Sequence, residues 1–254
     1  MVDFTKDETG SIPKWGVYIF PFLTVIFAVF YLLDETFYRS LVKEDGIIEW
    51  LTFAFLITAG FLSLQLAIKI KRKHDYLHWF FILFFGFNLL AGLEEISWGQ
   101  RVFEVETTGV FHKYSDQNEI NLHNTFQGMF AIKTKHIALL VLFLYGSILP
   151  WLMRNRNLHQ ESFPLQQFVI PPIFLRVGFT LGAILMLDFQ TGYEEEFGEF
   201  FFSMCFFFMM LWNLELFKAG NFQPGNYFSM SKRRPSLREK TDNLRDLNSR
   251  MSSI

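Results

Sequence analysis

No charged residue interrupts Trp15–Leu33, and comparable uncharged runs recur along the chain. A helix rises 1.5 Å per residue, so roughly 20 apolar residues cross about 30 Å of hydrocarbon. A soluble domain of 254 residues would divide its apolar side chains among short amphipathic segments. Here they stand in blocks, with 34 Phe, 51% hydrophobic residues and mean hydropathy +0.22. That pattern excludes a soluble enzyme and a disordered chain. The single cysteine, Cys205, lies within the apolar run Phe200–Trp212, which excludes an internal disulfide and a cysteine-based zinc cage. A net charge of −2 provides no field for nucleic acid.

The blocks predict an all-α, polytopic membrane bundle of about six transmembrane helices. The spans are Trp15–Leu33, Ile48–Ile68, Leu77–Trp98, His136–Met153, Ile173–Tyr193 and Gly198–Phe217. The N-terminal segment lacks a basic region, so the first span reads as retained rather than as a cleaved signal. Pro171-Pro172 mark the entrance of the fifth span, and Arg176 can snorkel from its first turn to the headgroups. A membrane domain thus covers 1–217, with a long outer loop at 99–135. A basic tail, 218–254, completes the chain.

Lys and Arg set the orientation. With the N-terminus in the cytoplasm, 17 of the 23 fall on the inner side, so both termini are expected there, in a multi-pass protein of the inner (cytoplasmic) membrane. The acids divide the other way: 16 of 25 lie on the outer side. The positive-inside rule does not require this, so the outer acids demand their own explanation.

Helix dipoles sort them. Glu49 and Glu194–Glu199 open spans two and six, where negative charge is favoured. Asp34, Glu94, Glu95 and Asp188 close spans one, three and five, where the dipole opposes them, so capping does not account for these four. Glu94-Glu95-Ile96-Ser97-Trp98-Gly99-Gln100-Arg101 is the densest group. If helix continues through it, Glu94, Trp98 and Arg101 share a face, and an internal Glu94–Arg101 ion pair competes with a functional reading. Downstream, Glu119 and His123 stand four apart in Asn118–Asn124, and such a Glu can orient the imidazole or bind a metal with it. The alternative is an exposed polar loop.

The outer inventory is rich in oxygen with one to three imidazoles, a set compatible with one divalent metal ion. Glu95, Glu119 and His123 are its candidate ligands, with Glu49 and Glu199 as outer contributors. Glu94, Glu95 and His123 are the candidate catalytic groups, by general acid–base chemistry. Arg101, Trp98, Gln100 and Asn121 are candidates for holding substrate.

The strings GLEEISWGQRVF and NEINLHNTF resemble hallmark stretches of an uncharacterised family of bacterial multi-pass membrane proteins. The resemblance covers about Glu44 to Glu199 and implies no reaction. The adjacent Glu94-Glu95 also resembles the glutamate pair of CAAX-type intramembrane proteases. Arg101, however, follows Glu95 by six residues rather than four, and the later His patterns of those proteases are absent.

Three readings follow. The first is a membrane-embedded enzyme, a hydrolase in type, with an outward Glu/His site for a lipid or lipid-linked substrate. The second is a proton- or cation-coupled small transporter. The third is a non-catalytic subunit that binds partner proteins or further copies of itself. In the tail, Lys232-Arg233-Arg234 precede Ser236-x-x-Glu239, a capping box, and Leu237, Leu244, Leu247 and Met251 share a helical face. That combination predicts a short amphipathic helix on anionic lipid.

Overall fold

The computed structural model describes residues 12–43, 45–100, 103–104, 106–107, 109, 134–153, 167–187, 194–220 and 222. Among them every regular element is helical. In chain order these are α1 (Ile12–Leu33), α2 (Glu35–Val42), α3 (Ile47–His74), α4 (Trp79–Glu95), α5 (Thr134–Phe143), α6 (Leu149–Met153), α7 (Arg176–Leu185) and α8 (Glu194–Lys218). The described part of the tail ends with Phe222, which tucks back against the rings of Phe81 and Phe217.

α3 and α8 are the frame. α3 packs against both α4 and α8, and α8 in turn carries α7. Small residues on the buried face of α3, Ala59, Gly60 and Ser63, let α4 approach closely. A Cβ on Gly60 would already touch the Asn88 Cβ at 3.4 Å, and the Ser63 hydroxyl donates to the Phe81 carbonyl at 2.7 Å. Without water in the bilayer, such side chain-to-backbone bonds satisfy groups that solvent cannot.

α8 is the most enclosed helix, and its phenylalanines do most of the packing. Phe27 of α1 stacks on Phe197 at 3.7 Å between centroids, and Phe20 meets Phe201 edge-on at 5.4 Å. Phe84 of α4 meets Phe206 at 5.3 Å, and Phe55 of α3 meets Phe207 at 5.2 Å. Aromatic edges and faces therefore interlock on three sides of one helix. On the outer surface of α1, by contrast, Trp15, Tyr18, Phe22, Val25, Val29 and Leu32 remain exposed. An apolar stripe of that extent needs lipid against it.

Among the described residues, four stretches are long and apolar enough to cross a membrane: Trp15–Leu33, the run Glu35–His74 that contains α3, His136–Met153 and Glu194–Lys218. Two expected spans are shorter than their apolar runs. α4 ends at Glu95 rather than Trp98, because Ser97, Trp98 and Gly99 all take positive φ and cannot continue a right-handed helix. The fifth is helical only over Ile173–Leu185 among the described residues. Pro171-Pro172, in extended backbone, block helix before it, and Met186-Leu187 turn out of it.

The span His136–Met153 is one rod with a defect. A π-helical turn, Leu144–Ile148, joins α5 to α6. Pro150 lies two residues beyond that turn, lacks an N–H, and its ring would collide with the carbonyl four residues back at Gly146. The wider turn accommodates both problems. Gly146 itself faces Phe179 so closely that a Cβ would fall 2.0 Å from the ring.

Candidate functional site

Three helix ends meet at one end of the bundle: the start of α3, the end of α4 and the start of α8. Each delivers carboxylates. Glu49 sits in the first turn of α3, and its carboxylate accepts from the backbone N–H of Asp45. Glu194, Glu195 and Glu196 form the first turn of α8. Both groups lie at positive helix ends. Glu94 and Glu95 close α4, at a negative end.

Glu95 is the meeting point. It is half-buried, and besides that burial the charges of Glu196, Glu49 and Glu94 act on its carboxyl group. Four carboxylates from three helices thus share one region. Such a group requires a compensating positive charge, supplied by a proton, a cation or a basic side chain. The two helix N-termini supply part of it.

The segment after α4 is folded tightly rather than helically. Trp98 turns back, and its indole N–H donates to the Glu94 carboxylate. Gly99 N–H reaches the Ile96 carbonyl at 2.7 Å, and Gln100 N–H reaches the Ser97 carbonyl at 2.9 Å. The Gln100 side chain donates to the Thr107 hydroxyl at 2.7 Å, tying the start of the outer loop to its later part. Ser97 and Gly99 are buried, Gln100 is half-buried and Trp98 is exposed. The helical face expected to align Glu94, Trp98 and Arg101 does not form, since the helix ends before Trp98. It is the turn, not helix periodicity, that brings Trp98 to Glu94.

A second expectation is corrected at Asp34. Its carboxylate is not an acid stranded at the end of α1. It caps α2, accepting from the Phe37 N–H at 2.9 Å. The connection between the first two spans is itself helical over α2. Glu35 is likewise accounted for by its ion pair with Arg39 at 2.7 Å.

Of the residues singled out, Glu49, Glu94 and Glu95 are brought together. Glu199 lies half-buried on α8, one turn beyond Glu196. Arg101, Glu119, Asn121, His123 and Asp188 lie outside the described residues, as do the expected tail helix and most of the outer loop. Among the described residues, no group of three or more His, Cys, Asp or Glu side chains is arranged to hold a metal ion.

One site residue escapes the sequence reading, as do two buried amides elsewhere in the bundle. Glu196 counted only as a helix-end charge, yet it is one of the carboxylates that act on Glu95. Asn88 and Asn213 are fully buried in α4 and α8, each donating to the carbonyl four residues back, Phe84 and Met209. Their side-chain oxygens find no partner among the described residues. A lone amide inside an apolar run was the available signal.

An apolar groove of about 570 Å³ runs along α4 against α5 and α6. Phe80, Phe84 and Phe87 form one wall, and Leu142, Tyr145 and Leu149 are among those facing them. Phe80, Phe84, Phe87 and Glu94 follow helical spacing on α4, so the groove and the first carboxylate share a face of that helix. Phe87 and Glu94 are seven residues apart, about 10 Å along the axis.

Comparison with protein-family models, curated proteins and solved structures finds no match to this chain. The residues themselves must therefore carry any functional reading.

Proposed function

We propose that the chain is a membrane-embedded enzyme, hydrolytic in type, that acts on a lipid or lipid-linked substrate at its carboxylate end. The observation that carries the reading is the convergence of Glu49, Glu94, Glu95 and Glu196 beyond an apolar groove on the same helix. A groove lined by Phe80, Phe84 and Phe87 suits an acyl chain, and the carboxylates lie where that chain's polar end would emerge.

In this reading Glu95 and Glu94 exchange the proton of the attacking water and the leaving group. His123, oriented by Glu119, is the second acid–base group or a ligand to one divalent metal. Arg101 supplies the positive charge for an anionic head group, and Trp98, Gln100 and Asn121 shape its surroundings. The chain spans the inner membrane six times with both termini in the cytoplasm, so the site faces outward.

The test is a lipid inventory. Purified protein in vesicles of total bacterial lipid is compared with Glu95→Gln by mass spectrometry of the extracted lipids. A product that accumulates with the wild type and falls by about 10²- to 10⁴-fold in the variant supports the enzyme. Identical lipid profiles from both proteins sink it. Elemental analysis of the wild type beside Glu95→Gln and His123→Ala tests the metal ligands separately.

A second reading has its own observation. The buried Asn88 and Asn213 oxygens provide polar positions within the span region, as a proton- or cation-coupled carrier would need. Glu95-dependent proton uptake into vesicles without lipid turnover would favour that carrier over the enzyme.

A further inference from the structure

At the opposite end of the bundle, α3 and α8 leave a cleft of about 480 Å³ between their C-terminal turns. It is lined by Lys69, Arg72 and Lys73 of α3 and by Phe217 and Lys218 of α8. Four cations therefore converge from two helices, and among the described residues no acid lines the cleft. Asp75 and Glu215, the acids nearest in sequence, are exposed and do not contribute to it. Among the described residues, no ion pair involves any of the four.

Helix dipoles account for part of this charge, since cations are favoured near C-termini. They do not account for its placement around a concavity. Nor do they account for the ring of Phe217, which lies within it with the Lys73 Nζ 5.3 Å from its centroid. Level matters as well. Ile68, an exposed apolar residue, immediately precedes the half-buried Lys69. The cleft thus begins where the exposed apolar surface of α3 gives way to charge, the change of side-chain type that a headgroup boundary would require.

We infer that this cleft is a binding site for the phosphate head group of an anionic phospholipid, whose chains lie on the apolar surface of α3 and α8. The site is separate from the carboxylate end. It rests on α3 and α8 spanning the membrane. Basic pockets between transmembrane helices are a recurrent way to hold such lipids, each Lys or Arg near the surface strengthening binding by about fivefold.

The experiment is native mass spectrometry of the full-length protein released from detergent. It is loaded with phosphatidylglycerol, with phosphatidylcholine, or with inorganic phosphate as competitor. The wild type should retain phosphatidylglycerol over phosphatidylcholine. Lys73→Gln and Lys218→Gln should each lower that retention about fivefold. Lys73→Arg, which keeps the charge, should restore it and so separates a lost site from a damaged fold. A triple variant of the tail, Lys232→Gln, Arg233→Gln and Arg234→Gln, should retain the lipid as the wild type does. Retention unchanged in the cleft variants, or lost only in the tail variant, overturns the assignment. Displacement by inorganic phosphate at comparable concentration overturns the lipid as occupant. Should alkaline carbonate extract the chain from membranes, the spanning reading fails. A carbonate-resistant protein indifferent to head-group charge fails the cleft alone.

Discussion

The indole N–H of Trp98 donates to the carboxylate of Glu94, four residues earlier and across the end of α4. That bond depends on three successive residues, Ser97, Trp98 and Gly99, with φ of 45°, 56° and 75°. Left-handed backbone costs a residue with a Cβ roughly 1–2 kcal/mol, so Gly99 is the one member that holds it freely. A Cβ there would also meet the Phe103 ring at 3.0 Å. Gly99→Ala should therefore lower unfolding stability by about 1–2 kcal/mol. It should also change the fluorescence of Trp98 by loosening the turn. The measurement is SDS-induced unfolding in mixed micelles, and stability equal to the wild type would refute the strained turn.

Glu95 should trade stability for function. Three like charges act on it, and a pair of unit charges near a protein surface interacts by a few kcal/mol at close range. Glu95→Gln keeps the shape and removes the cost of holding an ionisable carboxyl group, partly buried, among three others. Near neutral pH the variant should be more stable than the wild type, by about 1 kcal/mol, while losing activity. A thermal scan beside the lipid assay reads both. Loss of stability would mean instead that Glu95 is held by a structural cation or hydrogen-bond network. In that case added divalent cation should raise the wild-type midpoint and leave the variant unmoved.

Much of this architecture is legible in the sequence because the bilayer allows few solutions. An uncharged run such as Trp15–Leu33 has to be a helix, since no other open segment satisfies its backbone in hydrocarbon. Helix ends were less legible, because hydropathy does not encode them. Trp98 is apolar enough to be counted into the span, and backbone conformation ends α4 three residues earlier. Likewise Asp34 reads as an acid at the end of one helix, and the cap it forms belongs to the next. The closeness of Glu49, Glu95 and Glu196 depends on how α4 and α8 pack against α3, which spacing along one chain does not report. The phenylalanines of α8 illustrate the same limit. Their abundance marks a span, but not that three neighbours would use them.

Packing around Gly178 makes a sharper demand than any cap. A Cβ there would lie 2.6 Å from the Cys205 Sγ and 2.6 Å from the Phe20 ring, both fully buried. Three helices, α1, α7 and α8, therefore meet over one missing methyl group. Gly178→Ala should destabilise by about 1–3 kcal/mol, the usual cost of overpacking. Adding Phe20→Leu and Cys205→Ala should recover part of it, because they remove the atoms in conflict. No loss in the single variant would show that α7 is free to shift away from α8.

Cys205 also supplies a probe of the fold in the membrane. As the chain's single thiol it is fully buried, its Sγ 3.9 Å from the Leu175 carbonyl. A water-soluble maleimide should leave it unlabelled in intact vesicles and in mild detergent, and label it fully after SDS. Replacing it with Ala yields a cysteine-free background into which single cysteines can be placed. Thr36→Cys, in the exposed face of α2, should react from the outer side of intact cells, and His74→Cys only after the membrane is opened. Labelling of both from the same side would exclude α3 as a crossing helix. With it would go the separation of the carboxylate end from the basic end, since Glu49 and Lys73 stand at the two ends of that helix, about 36 Å apart at 1.5 Å per residue.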